Sequence, residues 1–362
     1  MFSGFFYEKT GFSGTFCCVF IVWRDCMYIV TGGAGFIGSA MIWKLNEENI
    51  DDILVVDNLA SSEKWRNLVN RRYTDYMHRD EFRKMLDANR LPPKVEGIIH
   101  MGACSATTER NVDFLMQNNV KYSELLCKCA MDRGIRFINA SSAATYGDGS
   151  LGFSDDISTT VQLKPLNAYG YSKQLFDLWA YRERRLDSIA SVKFFNVYGP
   201  NEYHKGDMKS VIAKVFGDIM KGLPIRLFKS DRPEYGDGES TRDFVYVKDC
   251  VNVLYWLLQN PQANGVLNIG SGKARTWNDL ARAVYAAMGK DPVIEYFEMP
   301  EALKGKYQYF TQADMGWLKR LECDVPFHSL EEGVADYVKN YMMQDDPYLE
   351  QSTITGREIS RG

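Results

Sequence analysis

The stretch "MYIVTGGAGFIGSAMIWKL" (residues 27–45) decides the fold. In it a short apolar run leads into a glycine-rich turn, after which apolar residues recur with the spacing of a helix. Gly33, Gly35 and Gly38 fit the pattern G-x-G-x-x-G, and Gly32 precedes them. Between a buried strand and a helix, such a turn lets the backbone approach a pyrophosphate, which the helix N-terminus attracts. The stretch therefore predicts the start of a dinucleotide-binding domain.

Four further apolar runs repeat the strand signal along the chain. They are "DILVVDN" (52–58), "VEGIIHMGA" (95–103), "IRFINASSA" (135–143) and "SVKFFNVYG" (191–199). Amphipathic segments lie between them. Buried strands that alternate with helices pair in parallel, because each crossover must cover a face of the sheet. We therefore predict an α/β fold with a Rossmann-like, doubly wound parallel sheet that binds ligands beyond the carboxyl ends of its strands.

The pattern divides the chain into four regions. We predict a dinucleotide-binding Rossmann domain at residues 27–197. A smaller, mixed α/β part at 198–343 is predicted mainly to bind substrate, with segments that return to the first domain. The polar, non-periodic segment 344–362 predicts a disordered tail. We interpret residues 1–26 as an N-terminal extension that is not part of the fold.

This extension allows three interpretations. We favour Met27 as the natural start, because the first strand begins there. A loosely docked or unstructured arm is the second interpretation. Export is the third, since the apolar "FCCVFIVW" (16–23) resembles a signal-peptide core, but only Lys9 precedes it as a basic n-region and no small-residue cleavage site follows.

The composition excludes several classes of function. The 362 residues carry a net charge of −4, so nothing indicates a nucleic-acid-binding surface. No apolar run is long enough to span a bilayer, so we predict no membrane partner. Eight cysteines and four histidines are scattered without the spacings of zinc sites, which predicts no metal. Scattered thiols in a chain of this size are typical of the reducing cytoplasm.

Asp57 ends the second apolar run and is expected beside the nucleotide ribose. A carboxylate there accepts hydrogen bonds from the ribose hydroxyls of NAD and repels the 2′-phosphate of NADP. Lys64 and Arg79 follow and are able to neutralise such a phosphate, although Lys and Arg are more often solvated surface charges. From these residues alone, the choice between NAD and NADP stays open.

A tyrosine, a lysine and a serine predict redox chemistry. In "NAYGYSKQLF" (167–176), Tyr169 and Lys173 project from one face of a helix. A phenol has a pKa of about 10, which a neighbouring ammonium and a positively charged nicotinamide both lower. The phenolate then takes the proton of an alcohol while a hydride leaves. Ser142 follows the strand "IRFIN" (135–139) and is expected to hold the substrate oxygen, so all three are predicted catalytic residues.

Three short motifs resemble the extended short-chain dehydrogenase/reductase superfamily: "TGGAGFIG" (31–38), "SSAATYG" (141–147) and "YGYSK" (169–173). Five more particular stretches resemble, in order and spacing, the ADP-glycero-manno-heptose 6-epimerase family within it. They are "ILVVDNL" (53–59), "GACSATTE" (102–109), "NVYGPNEYHKGDM" (196–208), "TRDFVYV" (241–247) and "LKGKYQYFTQAD" (303–314). The resemblance runs from Met27 to about Tyr341.

The resemblance implies an activity, a cofactor and an assembly. The family inverts C6″ of ADP-D-glycero-β-D-manno-heptose, which gives the L-glycero sugar nucleotide for the inner core of bacterial lipopolysaccharide. It prefers NADP, so the resemblance favours NADP over NAD. It also implies a cytoplasmic homo-oligomer, with the pentamer as a frequent form.

The resemblance further assigns binding residues. The cofactor contacts are Gly32, Gly35, Phe36, Ile37, Gly38, Asp57, Asn58, Lys64, Arg79, Met101, Gly102, Ala103, Cys104, Ser105, Asn118, Lys173, Val197 and Lys205. The substrate contacts are Asn196, Asp207, Lys214, Phe228, Arg242 and Tyr307. Asp207 replaces a serine that is usual in the family, Lys214 replaces a common histidine, and Met101 replaces an acidic residue. Asp207, Lys214 and the loop "KSDRPEYGDGESTRD" (229–243), which is longer than usual in the family, make the identity of the substrate less certain than the reaction type.

Inversion through a ketone requires two acid/base groups. Hydride leaves and returns at one place, so the ketone must present its other face, and the oxygen then takes a second position. One group cannot easily reach both positions, because proton transfer needs hydrogen-bond distance. The resemblance assigns the second role to Lys205, while Tyr169 serves the first; His204 beside Lys205 is the next candidate.

Two rival functions remain. One is another extended reductase enzyme, such as a UDP-hexose 4-epimerase, which usually manages with one tyrosine and leaves Lys205 unexplained. A 4,6-dehydratase would need an Asp-Glu pair where Ala143 and Ala144 stand. The other rival is a non-catalytic dinucleotide-binding protein, and proteins of that kind tend to lose the tyrosine or the lysine.

Overall fold

The computed structural model describes residues 27–301 and 307–352, so the extension predicted at residues 1–26 lies outside the described residues. The strands of the described chain are β1 (Met27–Thr31), β2 (Ile53–Asp57), β3 (Asp75–His78), β4 (Val95–His100), β5 (Arg136–Ser142), β6 (Ile189–Phe194), β7 (Asn196–Tyr198), β8 (Ile225–Phe228), β9 (Thr241–Tyr246), β10 (Gly265–Ile269), β11 (Ala274–Thr276) and β12 (Ile294–Phe297).

Its helices are α1 (Phe36–Glu47), α2 (Arg79–Asp87), α3 (Val112–Leu115), α4 (Tyr122–Met131), α5 (Ile157–Thr160), α6 (Ala168–Arg182), α7 (Val211–Met220), α8 (Val247–Gln259), α9 (Trp277–Ala287), α10 (Gly316–Arg320) and α11 (Leu330–Tyr337). A π-helical turn, Met116–Lys121, joins α3 to α4. Within the two described ranges, no helix combines the length and the apolar character that crossing a membrane requires.

Seven strands of the described chain form one sheet in the order β10-β6-β5-β4-β1-β2-β3. Every neighbouring pair in this sheet is parallel. The predicted doubly wound parallel sheet is therefore confirmed. The strand order reverses between β1 and β4, and in such sheets the ligand crevice lies beyond the carboxyl ends of the strands at that point.

Side chains of β1 show why both faces of the sheet are covered. Ile29 packs into a core that includes Phe82 of α2 and Phe176 of α6. Val30 packs into a second core that includes Ile42 of α1 and Leu254 of α8. Successive side chains of a strand point to opposite faces, so a strand buried on both faces reads as a continuous apolar run. This is the signal by which the sequence reveals the strands.

The part of the chain after residue 198 is mixed, as predicted from its irregular pattern. Strands β11, β9 and β7 form a three-stranded sheet, and β12 pairs with β8 in parallel. In contrast, β10 returns to the large sheet beside β6, where Leu267 lies opposite Val192. Helix α8 packs on the large-sheet core through Cys250 and Val251, both fully buried.

The prediction of a disordered tail from residue 344 is wrong for residues up to 352. Leu349 is fully buried, and its carbonyl accepts a hydrogen bond of 2.5 Å from Arg71 Nη2. Ser352 is also buried, and its carbonyl accepts one from Arg72. Side chains remote in sequence hold the segment mainly through its backbone. Its order therefore does not depend on an apolar periodicity that the sequence would reveal. Residues 353–362 lie outside the described residues.

Candidate functional site

A cavity of about 860 Å³ lies where the strand order of the large sheet reverses. Every residue that the sequence assigns to the cofactor lines it, as do Tyr169 and Ser142. Of the six predicted substrate contacts, Asn196 and Lys214 line the cavity as well. The other four, Asp207, Phe228, Arg242 and Tyr307, do not.

The glycine turn forms one end of the cavity. Gly32 has a φ of +64°, and a Cβ there would lie 2.6 Å from the backbone nitrogen of Gly102. A side chain on Gly38 would collide with the backbone of Gly32, so both positions require glycine. Helix α1 then begins after Gly35 without a side-chain cap, and its first turn lines the cavity. An uncapped helix N-terminus in a tight glycine turn fits the diphosphate of a dinucleotide.

Asp57 is buried and makes three hydrogen bonds within the protein. Its Oδ2 accepts from the backbone N–H of Ala34 at 2.8 Å, which fixes the glycine turn to the end of β2. Its Oδ1 accepts from the backbone N–H of Asn58 at 2.6 Å and from Lys64 Nζ at 2.7 Å. The negative charge of Asp57 is thus balanced by Lys64 on the cavity wall.

The π-helical turn between α3 and α4 carries two asparagines that shape the cavity. Asn118 accepts a hydrogen bond of 2.7 Å from Arg79 Nη1 and thereby orients that guanidinium. Asn119 binds the backbone of Cys104 at both its N–H and its carbonyl, each at 2.9 Å. It also donates to Ser172 Oγ at 3.0 Å, next to Lys173 on α6. Asn119 was missed from the sequence, although it adjoins the predicted Asn118.

The wall that carries Tyr169 is built on α6. Asn167 caps this helix by accepting the N–H of Gly170 at 2.8 Å. Burial raises the pKa of Tyr169, and its hydrogen bond with Ser142 works in the opposite direction. Lys173 Nζ donates to the carbonyl of Ala140 at 2.8 Å, and burial lowers its pKa to about 8. In the protein alone, burial therefore sets the direction of the Tyr169 shift, and the lowering expected from Lys173 together with the nicotinamide stays a prediction.

Behind this wall lies a fully buried ion pair that was also missed from the sequence. Lys193 Nζ is 3.3 Å from Asp177 Oδ2, and both side chains have no exposed surface. Asp177 also accepts hydrogen bonds from Ser141 at 2.7 Å and from Ser191 at 2.6 Å. The sequence offers one sign that Asp177 matters: it follows Lys173 by four residues, so both side chains lie on one face of α6. The pair ties α6 to the ends of β5 and β6.

Lys205 lies on a second wall of the cavity, which is formed by a loop. We call this segment the lysine loop (residues 199–210), and it contains the 3₁₀ turn Tyr203–Met208. Lys205 Nζ lies 5.1 Å from the centre of the Phe36 ring, at the start of α1. Burial lowers the pKa of Lys205; Glu202 opposes this effect and Lys214 adds to it. No carboxylate in the described part of the chain forms an ion pair of 4 Å or less with Lys205 Nζ.

Glu202 is fully buried and closes the lysine loop on itself. It accepts hydrogen bonds from the backbone N–H of Gly199 at 3.3 Å and of Ser210 at 2.5 Å, which are the two ends of the loop. Ser210 Oγ donates a further bond at 2.7 Å. Burial raises the pKa of Glu202, and Lys205 is among the groups that lower it. Glu202 was not predicted from the sequence, although it stands three residues before Lys205.

His204 also lines the cavity, and it is neutral near physiological pH. Burial, assisted by Lys64 and Lys205, lowers its pKa to about 4. Asn67 Nδ2 donates to the carbonyl of Ala34 at 2.9 Å and lies 3.2 Å from His204 Nδ1. Because a carbonyl only accepts, the amide nitrogen of Asn67 must face both groups, which places the imidazole proton on Nε2. With its pKa lowered to about 4, His204 does not titrate near neutral pH, and the backbone of Asn201 is among the groups that act on it.

Thr31 and His100 form a buried polar chain beneath the tyrosine wall. His100 Nδ1 lies 2.5 Å from Thr31 Oγ1, and its Nε2 lies 2.8 Å from Ser123 Oγ. Burial lowers the pKa of His100 to about 3, with Lys173 contributing. The ring is therefore a neutral bridge between β1, β4 and α4.

Arg242 and Tyr307 form a separate cluster next to the cavity. The guanidinium of Arg242 lies 4.9 Å from the Tyr307 ring and 5.8 Å from the Trp277 ring, and Trp277 lines the cavity. Phe228 packs edge-on against Tyr307 with ring centres 6.1 Å apart. Asp207 is exposed and does not take part. The cluster therefore extends the site beyond the enclosed volume, while the assignment of Asp207 as a substrate contact receives no support from its position.

No group of three or more metal-ligating side chains occurs within residues 27–301 and 307–352. The cysteines described there, Cys104, Cys127, Cys129, Cys250 and Cys323, are all free thiols. The polar groups of the cavity are amines, the guanidinium of Arg79, amides, hydroxyls, the Cys104 thiol, the neutral imidazole of His204 and one balanced carboxylate. Such a set binds phosphates and moves protons.

This chain is similar to known proteins over most of its length. A relative from Nitratidesulfovibrio vulgaris (strain Hildenborough), named ADP-L-glycero-D-manno-heptose-6-epimerase, is 67% identical over 323 residues, which cover 89% of this chain and 100% of the relative. A relative of the same name from Fusobacterium nucleatum is 47% identical, with the same two coverages. The crystal structure of the Helicobacter pylori enzyme of that name superposes with a TM-score of 0.70 at 25% identity, covering 87% of this chain and 96% of that one.

Other solved structures share the fold at lower identity. The Thermus thermophilus UDP-glucose 4-epimerase in complex with NAD has a TM-score of 0.65 at 23% identity and covers 85% of this chain and 96% of that one. This likeness shows the fold alone. The model of the NAD dependent epimerase/dehydratase family matches residues 28–270. The chain belongs to the NAD dependent epimerase/dehydratase family.

Proposed function

We propose that this protein interconverts ADP-D-glycero-β-D-manno-heptose and ADP-L-glycero-β-D-manno-heptose at C6″, with Tyr169 and Lys205 as the two acid/base groups. The observation that carries the proposal is that both side chains line one cavity together with the glycine turn. Relatives of 67% and 47% identity over their whole length bear the name of this epimerase. A single tyrosine would not explain why the amine of Lys205 lies on a second wall of the same cavity.

The residues of the cavity fit a nicotinamide dinucleotide, which is the cofactor of this family. The glycine turn and the uncapped N-terminus of α1 suit its diphosphate, and the segment 101–105 lines the cavity beyond them. When bound, the cofactor supplies the hydride acceptor and donor that a transient oxidation requires. The protein contributes the binding, the orientation of the sugar and the proton transfers.

Each acid/base group serves one orientation of the sugar. With the carbinol oxygen near Ser142, Tyr169 exchanges its proton, and Ser142 holds the oxygen within reach. After the ketone has turned its other face, its oxygen lies elsewhere, and Lys205 exchanges the second proton. Burial already lowers the pKa of Lys205, which favours the neutral amine that can accept a proton. Both side chains are half-buried in the walls of the cavity, which limits the access of water to the exchange.

We further propose NADP rather than NAD as the preferred cofactor. Asp57 would discriminate against a 2′-phosphate if its charge were free, but its oxygens are bound by Ala34, Asn58 and Lys64. Lys64 and Arg79 both line the cavity, where they can bind a phosphate by charge-assisted hydrogen bonds.

Protein freed of nucleotide tests this preference. We expect NADP to bind about tenfold or more tightly than NAD, since a hydrogen bond to a charged group contributes about 1.5–3 kcal/mol. Lys64→Met should remove the preference, while Lys221→Met, an exposed lysine at the end of α7, should keep it. Equal dissociation constants in the unaltered protein would contradict the proposal for NADP.

Incubation of the purified protein with ADP-D-glycero-β-D-manno-heptose tests the reaction itself. We expect nuclear magnetic resonance to show the C6″ signals of the L-glycero epimer growing to a constant ratio without added cofactor, because the reaction is redox-neutral. Unchanged C6″ signals together with turnover of a UDP-hexose would instead establish the 4-epimerase alternative. No turnover of either would favour a dinucleotide-binding protein without catalysis.

We also propose that the protein acts in the cytoplasm as a homo-oligomer and supplies a lipopolysaccharide precursor. The free thiols of the described residues suit a reducing compartment. Light scattering of the purified protein gives the number of subunits directly, and a monomer would contradict the oligomer.

A further inference from the structure

The end of the described chain forms a segment that we call the C-terminal strap (residues 346–352). The segment at residues 70–72 anchors it. Arg71 Nη2 donates to the carbonyls of Leu349 and Glu350 at 2.5 and 2.6 Å, and Arg72 Nη1 donates to that of Ser352 at 2.5 Å. Arg71 is buried and has no acidic hydrogen-bond partner among the described residues. Two cationic side chains thus hold the strap by its backbone.

The strap in turn holds the lysine loop. Asn201, which is 1% exposed and has a φ of 76°, accepts the N–H of Leu349 at 3.0 Å and donates to Ser39 of α1 at 2.9 Å. Tyr203 donates its hydroxyl proton to the carbonyl of Pro347 at 2.8 Å. The Tyr203 ring also packs edge-on against Tyr348, with ring centres 5.3 Å apart. Asn201 and Tyr203, which lie four and two residues before Lys205, are therefore fixed to the strap.

A displacement of the strap is transmitted to Lys205 because the two ends of the lysine loop are joined. Glu202 joins its two ends, Gly199 and Ser210, so the loop cannot absorb a displacement at one point by stretching. The N–H of Lys205 also donates to the carbonyl of Glu202 at 3.1 Å. Proton transfer needs hydrogen-bond distance, and a misplacement of about 1 Å costs on the order of 100-fold in rate.

We propose that the C-terminal strap is a positioning element that holds Lys205 against the cavity through Asn201 and Tyr203. The inference rests on the proposed function, in which Lys205 is an acid/base group. A short 3₁₀ turn carries this side chain in place of an α-helix or a strand, and the strap holds that turn in position. Asn201 and Tyr203 are positioning residues, since neither lines the cavity.

Two variants of the full chain release the loop without altering the cavity. Tyr203→Phe removes the hydroxyl but keeps the ring against Tyr348. Asn201→Gly removes both side-chain hydrogen bonds, and glycine adopts the left-handed φ without strain. The matched control is Tyr285→Phe, which deletes a hydroxyl that donates to the carbonyl of Val293 at 2.8 Å, outside the loop and the strap.

Two measurements separate positioning from general loosening. The first is kcat and KM for ADP-D-glycero-β-D-manno-heptose. The second is the labelling of Lys205 by acetic anhydride as a function of pH, followed by mass spectrometry of its peptide. Glu202 and Lys214 are the charged groups that act on Lys205, and neither is altered in the variants. Release of the loop exposes the amine to water, so the labelling midpoint should move to higher pH.

We expect Tyr203→Phe to lower kcat about tenfold and Asn201→Gly about 30-fold, with KM changed less than twofold and with both midpoints raised. Tyr285→Phe should leave kcat and the midpoint unchanged. Loop variants that match Tyr285→Phe, or that lose kcat with an unmoved midpoint, would overturn the proposal. Raised midpoints in a protein that never turns over this sugar nucleotide would support the strap's hold on Lys205 and reject the proposed function.

Discussion

Tyr169 and Lys205 line the same cavity, but the fold holds them in different ways. Tyr169 lies in the first turn of α6, which packs on the seven-stranded sheet and is fixed by a buried ion pair. Lys205 lies in a loop that one buried carboxylate closes and that a distant segment of the chain holds in place. The first wall is positioned by regular secondary structure and the second by side-chain hydrogen bonds. The second wall should therefore be the easier one to move.

The largest effects should come from Tyr169 and Lys205, the two proposed acid/base groups. We expect Tyr169→Phe and Lys205→Met each to lower kcat of epimerisation by about 1,000-fold, because each removes a proton transfer that the other group cannot reach. Both variants should retain the bound dinucleotide, which absorbance of the purified protein measures. Equal losses of kcat in the two variants would indicate a reaction that needs both side chains.

Lys221→Met is the control for charge loss, because Lys221 is exposed at the end of α7. It should keep full activity. If Lys205→Met also kept full activity, Lys205 would not be the second acid/base group, and the comparison of the two walls would reduce to one catalytic wall.

The next largest effect concerns the support of the tyrosine wall. Asp177→Asn leaves the ammonium of Lys193 buried without a counter-charge, so we expect the free energy of unfolding to fall by about 3 kcal/mol or more in urea denaturation. Lys248→Met breaks a pair with Asp336 whose side chains are 18% and 23% exposed, and it should cost about 1 kcal/mol. Equal losses from the two variants would mean that the buried pair does not support α6.

The sequence predicts the two walls to different extents, and the reason is the distance between partners. Tyr169 and Lys173 are four residues apart, so their spacing alone places them together. The glycine turn and Asp57 are likewise recognised from a local strand-turn-helix pattern. Lys205 has no such pattern, and only the resemblance to a family points to it.

The supports of both walls escape sequence reasoning because their partners are remote. Asp177 meets Lys193 only after the chain has turned back into β6, and Tyr203 meets Pro347 across 144 residues. The tail was predicted as disordered because its polar composition carries no sign of Arg71. Patterns reveal what one element does by itself, whereas a contact between distant segments depends on the whole topology.

The smallest effect is a loss of stability in acid, and it depends on one neutral histidine beside each wall. The pKa of His100 is lowered to about 3 and that of His204 to about 4, both mainly by burial. The unfolded chain protonates both near pH 6.5, so it binds more protons than the folded protein below that pH. The stability present above pH 6.5 is therefore lost as the pH falls toward 4. Each histidine contributes at most about 1.4 kcal/mol per pH unit to this loss.

Urea denaturation at several values between pH 7 and 4.5 measures this slope, and His100→Gln and His204→Gln should each flatten it. Asp155 acts in the opposite direction, because burial raises its pKa to about 6. Below that pH the folded protein binds the proton that the unfolded chain takes up only near pH 4, so Asp155 offsets part of the loss. Asp155→Asn should accordingly steepen the slope. A slope that His100→Gln leaves unaltered would mean that the tyrosine wall opens in acid before its histidine is protonated, and then the two walls would be equally mobile.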